Sequence, residues 1–344
     1  MGLALVAMLG LACGGPRSRA DEPAAGGAAW LPLFAMPGRP HVGPLPELTD
    51  AERALATALE ADVTALSVEI GERHAGRFHY DNLRKAEALL AERLKAAGYE
   101  VERESFEARG RTVANLVVER RGTTRAEEIV IVGAHYDSAE ETPGANDNGT
   151  GVAATLALAR AFADRQPTRT LRFVLFANEE MPWFQTDAMG SLVHARRCRK
   201  NDDDVTVMLS LETIGYYDDE PDSQSFASFP PLRLLYPDTG NFIAFIGNVE
   251  SGPFVRRAVG AFRETTRFPA YGCAIPDVVE GVGWSDHWAF WQEGYPGVMV
   301  TDTAVFRYPY YHDPEDTPDK LDFTRIARVV AGLEHVVTHL VDDP

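Results

Sequence analysis

Cysteine is scarce in this chain of 344 residues, which contains only Cys13, Cys198 and Cys273. No two of them form a Cys-x-x-Cys pair, so a zinc-finger type of site built on thiolates is excluded. Cys198 and Cys273 either form one disulfide or remain two buried free thiols, and both alternatives stay open at this point. Any metal ligands in this chain must therefore be histidine and carboxylate side chains.

Basic residues are also few, because 33 Lys and Arg stand against 51 Asp and Glu, for a net charge of -18. A surface of this charge repels phosphate backbones and anionic lipid headgroups, which argues against a nucleic-acid partner. The chain is 45% hydrophobic with a mean hydropathy of -0.19, the composition of a soluble globular protein with a large core.

Long apolar runs are missing as well, so no transmembrane span is predicted. The run at residues 3–12 is short and ends at Cys13, a length typical of the apolar region of a signal peptide. Residues 11–14 resemble a bacterial lipoprotein cleavage site, which would leave Cys13 lipidated, and a plain secretory signal is the alternative. We therefore predict a leader and a flexible tether rich in Gly, Ala and Pro over residues 1–40. The expected location is secreted, periplasmic or membrane-anchored.

Beyond residue 40, helical periodicity alternates with short runs that have the composition of buried strands. The predicted helices cover residues 49–69, 80–97, 151–163, 252–265, 285–292 and 322–340. The predicted strands cover residues 100–108, 111–119, 128–133, 170–177, 205–211, 242–246 and 297–301. This alternation predicts an α/β fold with a mixed, mostly parallel central sheet covered by helices on both faces. We expect it to form one domain over residues 41–344.

Side chains that bind metal stand at the ends of the predicted buried strands. His135, the pair Glu179-Glu180 and Glu212 each follow or close such a strand. In open α/β sheets, ligand sites lie beyond the carboxyl ends of the strands, so we expect these side chains to converge. Imidazole and carboxylate ligands without thiolates suit two hard divalent metals that share a carboxylate.

Five ordered motifs resemble those of the M28 family of zinc peptidases, which includes bacterial aminopeptidases, glutamate carboxypeptidases and glutaminyl cyclases. They are Gly-Ala-His-Tyr-Asp-Ser at 133–138, Gly-Ala-Asn-Asp-Asn-Gly-Thr-Gly at 144–151, Asn-Glu-Glu at 178–180, Leu-Glu-Thr-Ile-Gly at 211–215 and Tyr-His at 311–312. The resemblance covers about residues 45–340 and implies a zinc exopeptidase-like fold.

The resemblance implies two zinc ions per chain, bridged by Asp147. By the order of the family's motifs, His135 and Glu212 would complete one site, and His312 and Glu180 would complete the other. Glu212 stands where the family usually has aspartate. Because glutamate has an extra methylene, two points stay open: the distance between the two metals, and whether the enzyme acts on the amino or the carboxyl end of a peptide.

The same resemblance gives Glu179 the role of general acid/base. A water shared by two metals ionises readily, and Glu179 would take its proton as the metal-bound hydroxide attacks the peptide carbonyl. Tyr311 either donates to the oxyanion or packs through its ring. Asp137 is placed to orient the imidazole of His135, and Asp286 is either a supporting group near His312 or a helix cap.

Four further expectations concern the surroundings of the site and the remaining histidines. The family often has a cis peptide bond after the bridging aspartate, here Asp147-Asn148. The proline-containing segment 216–241 forms a long loop beside Glu212, and we expect a substrate lid there. Aromatic residues near the motifs either pack in the core or line a pocket for an apolar side chain. His74 and His194 are expected on the surface.

The predicted function is hydrolysis of peptide bonds by a zinc metallopeptidase, with an aminopeptidase acting on short peptides as the leading hypothesis. A dipeptidase or carboxypeptidase of the same family, a glutaminyl cyclase and a non-catalytic binding ectodomain are the alternatives. A cyclase of this family works with one zinc, and a binding relative is expected to lose ligands, whereas all five ligand positions are retained here. No Arg or Lys stands out as a clamp for a substrate carboxylate.

Overall fold

The computed structural model describes residues 31–226 and 230–343. The predicted leader and the lipidation site at Cys13 lie outside these residues, and the domain division at residue 40 stays a prediction. Among the residues that the structure describes, no helix is both long and apolar enough to cross a membrane. Cys198 and Cys273 are both buried free thiols, so the disulfide alternative does not apply.

Eight strands form one mixed sheet. They are β1 (Glu102–Ala108), β2 (Arg111–Arg120), β3 (Arg125–His135), β4 (Arg169–Phe176), β5 (Asp204–Glu212), β6 (Ile243–Gly247), β7 (Ala270–Ala274) and β8 (Gly297–Thr301). Their order across the sheet is β1-β2-β4-β3-β5-β8-β6-β7. The hairpin β1-β2 is antiparallel and so are the β2-β4 and β6-β8 pairs, while β4-β3-β5-β8 and β6-β7 are parallel. The predicted fold class is confirmed.

The helices cover both faces of this sheet. They are α1 (Leu31–Phe34), α2 (Asp50–Thr64), α3 (Tyr80–Ala96), α4 (Gly151–Phe162), α5 (Gly190–Lys200), α6 (Gly252–Thr265), α7 (His287–Gln292) and α8 (Phe323–Asp342). A π-helical turn at Ala65–Ile70 extends α2, and Ala145–Thr150 form an irregular turn before α4 in which Asp147 and Asn148 have non-helical backbone angles. Short 3₁₀ turns lie at Pro230–Leu234, Ala304–Phe306 and Pro318–Lys320. Helix α1, which lies within the predicted tether, helix α5 and strand β7 were not predicted from the sequence patterns.

Alternate residues of the central strands supply two separate cores. Val130 and Val132 on β3 pack into a large core with α2, α3, α4, α6 and α8. Ile129 and Ile131 point to the other face and pack with α5 and α7. Successive side chains of a strand point to opposite faces, so an unbroken apolar run is what a strand covered on both faces requires.

The register of the parallel strands brings their carboxyl ends to one edge of the sheet. His135 of β3 is opposite Phe176 of β4, and Glu212 of β5 is opposite Thr301 of β8. These residues are the last or nearly the last of their strands. The loops that follow β3, β4, β5 and β8 therefore open on a common edge, as expected for a ligand site in this class of fold.

Candidate metal centre

The structure brings together the six predicted side chains from five segments of the chain. His135 and Glu212 end β3 and β5, while Asp147 lies in the irregular turn before α4. Glu179 and Glu180 follow β4, and His312 lies in the loop after β8. Five of the six side chains are buried, and His312 is the more exposed member.

Asp147 lies between two imidazoles. Its Oδ1 is 3.2 Å from Nε2 of His135, and its Oδ2 is 3.1 Å from Nε2 of His312. Glu212 Oε2 lies 3.4 Å from the same His135 nitrogen, and Glu180 Oε1 lies 3.3 Å from the same His312 nitrogen. The result is two sets of three ligands that share the carboxylate of Asp147. Each set also has one histidine and one glutamate of its own.

These separations fit metal coordination. Ligand atoms at about 2.0–2.1 Å from a tetrahedral zinc are about 3.3 Å apart. In addition, Asp147 Oδ1 and Glu180 Oε1 are buried without a hydrogen bond from any described residue. Carboxylate oxygens without a partner are costly to bury, and a divalent cation between them would remove that cost. The residues therefore fit two zinc ions.

The pKa values at the centre show how strongly the carboxylates and imidazoles depend on one another. Burial raises the pKa of Glu212 to about 7, although the nearby His135 lowers it. Burial disfavours the charged form of His312, but Asp147 and Glu180 outweigh this and raise its pKa to about 11. Burial would raise the pKa of Asp147, yet the two imidazoles beside its carboxylate lower it below its usual value. The carboxylates of the centre therefore favour positive charge on the groups that face them.

Glu179 is farther from the imidazoles than the other carboxylates. Its Oε2 is 3.9 Å from Nε2 of His135. Burial raises the pKa of Glu179 well above its usual value, and the neighbouring Glu180 and Glu212 raise it further. Burial therefore makes Glu179 a stronger proton acceptor than an exposed glutamate, as a general acid/base requires. Glu179 can also join His135 and Glu180 in a third set of ligand atoms, at longer distances.

Two buried aspartates that sequence reasoning missed hold the turn that carries Asp147. The carboxylate of Asp316 accepts hydrogen bonds from the backbone N–H groups of Asn146 (2.8 Å) and Asp147 (3.1 Å). The carboxylate of Asp302 accepts one from Nδ2 of Asn146 at 3.0 Å. The peptide bond Asp147-Asn148 is cis, as the resemblance implied. Asp302 directly follows β8, so the rule that placed His135 at a strand end would also have found it.

Glu212 is held by two polar side chains. Ser285 Oγ donates to Glu212 Oε2 at 2.8 Å, and Asn148 Nδ2 approaches the same oxygen at 3.4 Å. Asn148 Nδ2 also donates to the Leu211 carbonyl at 2.8 Å. The carboxylate therefore has a fixed position although its side chain is one methylene longer than aspartate.

Asp137 contacts both the histidine and the loop with the two glutamates. Its carboxylate accepts hydrogen bonds from the backbone N–H groups of Glu179 and Glu180, both at 3.1 Å. Its carbonyl oxygen is 3.2 Å from Nδ1 of His135, and its Oδ1 is 3.5 Å away. The carbonyl is thus the nearer acceptor for the imidazole, and the carboxylate chiefly holds the loop.

Asp286 is buried beside this group. Burial raises its pKa to about 7, and the charge of His135 acts in the opposite direction. Neither carboxylate oxygen has a hydrogen bond to a described residue, and the side chain makes no cap bond to α7. Asp286 therefore acts on the His135 side of the centre, whereas the sequence suggested a position near His312.

Asn115 of β2 closes the base of the loop that carries both glutamates. Its Oδ1 accepts from the Ala177 N–H at 3.0 Å, and its Nδ2 donates to the Gly190 carbonyl at 2.8 Å. Nδ2 also donates to Glu104, which pairs with Nδ1 of His194 at 2.9 Å. His194 and likewise His74 are buried, so their prediction as surface residues was wrong.

An apolar cleft of about 1000 Å³ opens beside the metal centre. Glu212, Thr213 and Tyr311 form its inner end. Its floor is formed by Phe242, which directly precedes β6, and by alternate residues of β6, β7 and β8, namely Ala244, Ile246, Tyr271, Cys273, Met299 and Thr301. Among the described residues that line the cleft, none is lysine, arginine or histidine. Trp284 and Phe306 line it, whereas Trp183 and Trp288 pack with the two cores.

Phe226, Leu232 and Tyr236, from the described parts of the segment 216–241, form the outer wall of this cleft. Its base is fixed by Gln224, whose Oε1 accepts hydrogen bonds from Nε and Nη2 of the buried Arg307 at 2.9 and 2.8 Å. The segment is therefore placed where a lid would have to be, and its movement stays a prediction. Tyr311 stacks on His312 with ring centroids 3.9 Å apart, and its hydroxyl role also stays a prediction.

Comparison with known proteins adds four findings. The family model described as Peptidase family M28 matches residues 115–337, which include all six side chains of the centre. The uncharacterized protein YfbL of Escherichia coli K12 is 35% identical over 86% of this chain and 91% of its own length. A probable leucine aminopeptidase 1 of Trichophyton verrucosum is 28% identical over 60% of this chain, which spans about half (54%) of that relative. BSAP, a zinc aminopeptidase from Bacillus subtilis, superposes with a TM-score of 0.65 at 16% identity, covering 84% of this chain and 95% of that one.

A glutaminyl cyclase of Fimbriiglobus ruber has the same fold. It superposes with a TM-score of 0.59 at 20% identity over 88% of this chain and 99% of its own. At this identity the likeness shows the fold alone. The choice among activities must therefore come from the side chains of the centre and the cleft.

Proposed function

Since the chain belongs to peptidase family M28, as its motifs predicted, and is a zinc metallopeptidase, we propose that it binds two zinc ions and acts as an aminopeptidase on short peptides. The observation that carries this proposal is the position of Asp147. Each of its carboxylate oxygens faces a different histidine, at 3.2 Å for His135 and 3.1 Å for His312. A shared carboxylate of this kind is what a pair of zinc ions needs.

Five side chains would hold the two ions. His135, Glu212 and one oxygen of Asp147 form the first site, and His312, Glu180 and the other oxygen form the second. When bound, the pair of ions would polarise the substrate carbonyl and lower the pKa of a water molecule. The fixed positions of Asp147 and Glu212, held by Asp316 and Ser285, set the spacing between the two sites.

Glu179 has the position and pKa of a general acid/base. It lies beside the first site without being among the nearest ligands, and its pKa is well above the usual value because it is buried among other carboxylates. It can accept the proton that the attacking water loses and return it to the leaving amine. The backbone bonds from Glu179 and Glu180 to Asp137 keep the two side chains pointing in different directions.

The charge of the site favours the amino end of a peptide. Glu212 lines the cleft and is close to Glu179 and Glu180 of the metal centre, and none of the described residues that line the cleft is lysine, arginine or histidine. The two zinc ions would offset much of this negative charge, but no described Lys or Arg lines the cleft to pair with a substrate carboxylate, whereas the acidic side chains can accept hydrogen bonds from a substrate ammonium group. This supports an aminopeptidase over the carboxypeptidase alternative.

The cleft supports a preference for a large apolar first side chain. Its floor and walls are apolar or aromatic, and it begins at Glu212, where the amine would lie. Burying apolar surface stabilises a complex by about 25 cal/mol per Å². An aromatic or long aliphatic first residue would therefore be cleaved faster than alanine or a charged residue.

The test uses zinc-loaded protein and matched short peptides with free or N-acetylated amino ends. The expected result is chelator-sensitive release of the first residue from free peptides only, with a loss of at least about 100-fold in kcat/KM on acetylation. A zinc titration should give two ions per chain. Equal cleavage of blocked peptides would refute the aminopeptidase. One zinc per chain with cyclisation of an N-terminal glutamine would instead establish the cyclase.

A further inference from the structure

Arg73 is a buried arginine in the segment between α2 and α3, and its guanidinium clasps the loop that follows β3. Its Nε donates to the Tyr136 carbonyl at 2.7 Å. Its Nη1 donates to the Pro143 carbonyl at 2.5 Å, and its Nη2 donates to the Gly144 carbonyl at 3.0 Å. Both backbone groups of Arg73 also bond to Ser138, since its N–H donates to Ser138 Oγ and its carbonyl accepts from the Ser138 N–H.

The clasp spans the two ends of one loop. Tyr136 directly follows His135, and Gly144 precedes Asp147 by three residues. The loop between them therefore decides how far the imidazole of the first zinc site is from the bridging carboxylate. Gly144 has a left-handed backbone (φ +62°), and an added Cβ would lie 2.4 Å from the Asp147 carbonyl oxygen. No other residue can take this tight conformation easily.

Arg73 is also an unusual buried cation. It is 0% exposed and has no ion-pair partner within the described ranges. Burial lowers its pKa to about 10, while Asp137, Asp316, Asp147 and Glu180 raise it, so the guanidinium stays charged at neutral pH. A buried charge is retained only where several well-placed acceptors surround it, and here the acceptors are loop carbonyls.

We propose that Arg73 is a positioning residue, which fixes the spacing between His135 and Asp147 and so sets the affinity for metal. The inference rests on the proposed two-zinc site. It assigns a role to a residue outside the segment that matches the family model, which begins at residue 115. Loss of a group that orients metal ligands typically weakens metal binding about 10–100-fold.

The test compares Arg73→Gln and Arg73→Lys with the matched control Arg169→Gln. Arg169 is also buried and donates to carbonyls, those of Leu340 and Asp343, but it begins β4 at the opposite edge of the sheet. For each protein we would measure zinc affinity against a competing chelator, zinc stoichiometry, and the thermal midpoint with and without zinc.

Both Arg73 variants are expected to bind zinc about 10–100-fold more weakly, with a smaller zinc-induced rise in the midpoint. Arg169→Gln should lower the midpoint without changing zinc affinity. Lysine keeps the charge but cannot reach three carbonyls, so a positioning role predicts a loss for both substitutions. If folded Arg73→Gln binds zinc as tightly as the parent, Arg73 does not position the ligands. If it binds zinc more tightly, only the charge of Arg73 matters. Either result would overturn the proposal.

A milder variant covers the case in which Arg73 variants do not fold. Ser138→Ala removes the hydroxyl that accepts a hydrogen bond from the Arg73 backbone N–H. On the same reasoning, this variant is expected to bind zinc several-fold more weakly than the parent. Zinc binding equal to that of the parent would show that the clasp has no role. The parent titration separates this inference from the proposed function. If the parent does not bind two zinc ions, the proposed function fails. If it does and the variants match it, only the role of Arg73 fails.

Discussion

Filling the apolar cleft should change which peptides this enzyme prefers while its chemistry stays intact. Ala244 lies on β6 between Thr301 of β8 and Tyr271 of β7, and it faces the cleft. Ala244→Phe would place a ring in the space that we assign to the first side chain of the substrate. Phenylalanine is a good strand residue, so β6 should tolerate the change.

The magnitude follows from the area that the cleft can cover. An aromatic side chain buries about 150–250 Å², of which roughly 100 Å² exceeds what alanine buries. At about 25 cal/mol per Å² this amounts to about 2.5 kcal/mol, or roughly 70-fold in kcat/KM between peptides that begin with Phe and with Ala. In Ala244→Phe that ratio should fall below about 5, because the larger substrate no longer fits.

The assay is kcat/KM for a matched pair of peptides that differ only in the first residue, Phe or Ala. The peptide that begins with Ala is the internal control and should be cleaved by the variant within about 3-fold of the parent rate. Zinc content should be unchanged, since Ala244 contacts no ligand. A parent with no preference for Phe, or a variant that retains the preference, would refute the assignment of the cleft to the first side chain.

Three further predictions concern the centre itself. Glu179→Gln should lower kcat by about 10²–10⁴-fold with two zinc ions still bound, whereas an equal loss of zinc would make Glu179 a ligand. Asp316→Asn, which weakens the bonds that hold the Asp147 turn, should weaken zinc binding about 10-fold in a chelator competition, and unchanged affinity would remove Asp316 from the site. The folded pKa values of His312 (about 11) and Glu212 (about 7) are raised above the unfolded values, so both groups favour the folded metal-free protein at low pH. Its thermal midpoint should therefore fall between pH 6 and 9 while the zinc-induced rise grows, and a midpoint that increases with pH would contradict the raised values.

Most elements of the fold could be predicted because their patterns are local. The run at 128–133 is apolar at every position, and the structure shows β3 buried on both faces there. Strand β7 was missed because Ala-Tyr-Gly-Cys-Ala has no β-branched residue. Helix α5 was missed because it is rich in basic residues and starts at Gly190 without a capping side chain.

The metal-binding motifs could be identified in the same way, whereas the residues that support them could not. His135, Glu179, Glu180 and Glu212 follow predicted strands, so sheet geometry placed them on one edge. Arg73 acts on a loop more than 60 residues away in sequence, and nothing local distinguishes it from a surface arginine. Asp316 and His194 are similar cases, since their buried partners are distant in the sequence. Such contacts depend on tertiary packing that residue patterns do not encode.

The strand order has a consequence for when the enzyme acquires its metal. Strand β8 is the last to be synthesised, yet it lies between β5 and β6, and the loop after it supplies His312. Until β8 has inserted, β5 and β6 lack a neighbour and the second zinc site lacks its only histidine. A growing or half-folded chain can therefore offer at most one set of ligands. In the proposed two-zinc centre, occupancy of the second site would then report that β8 has inserted and that the loop with His312 has taken its place.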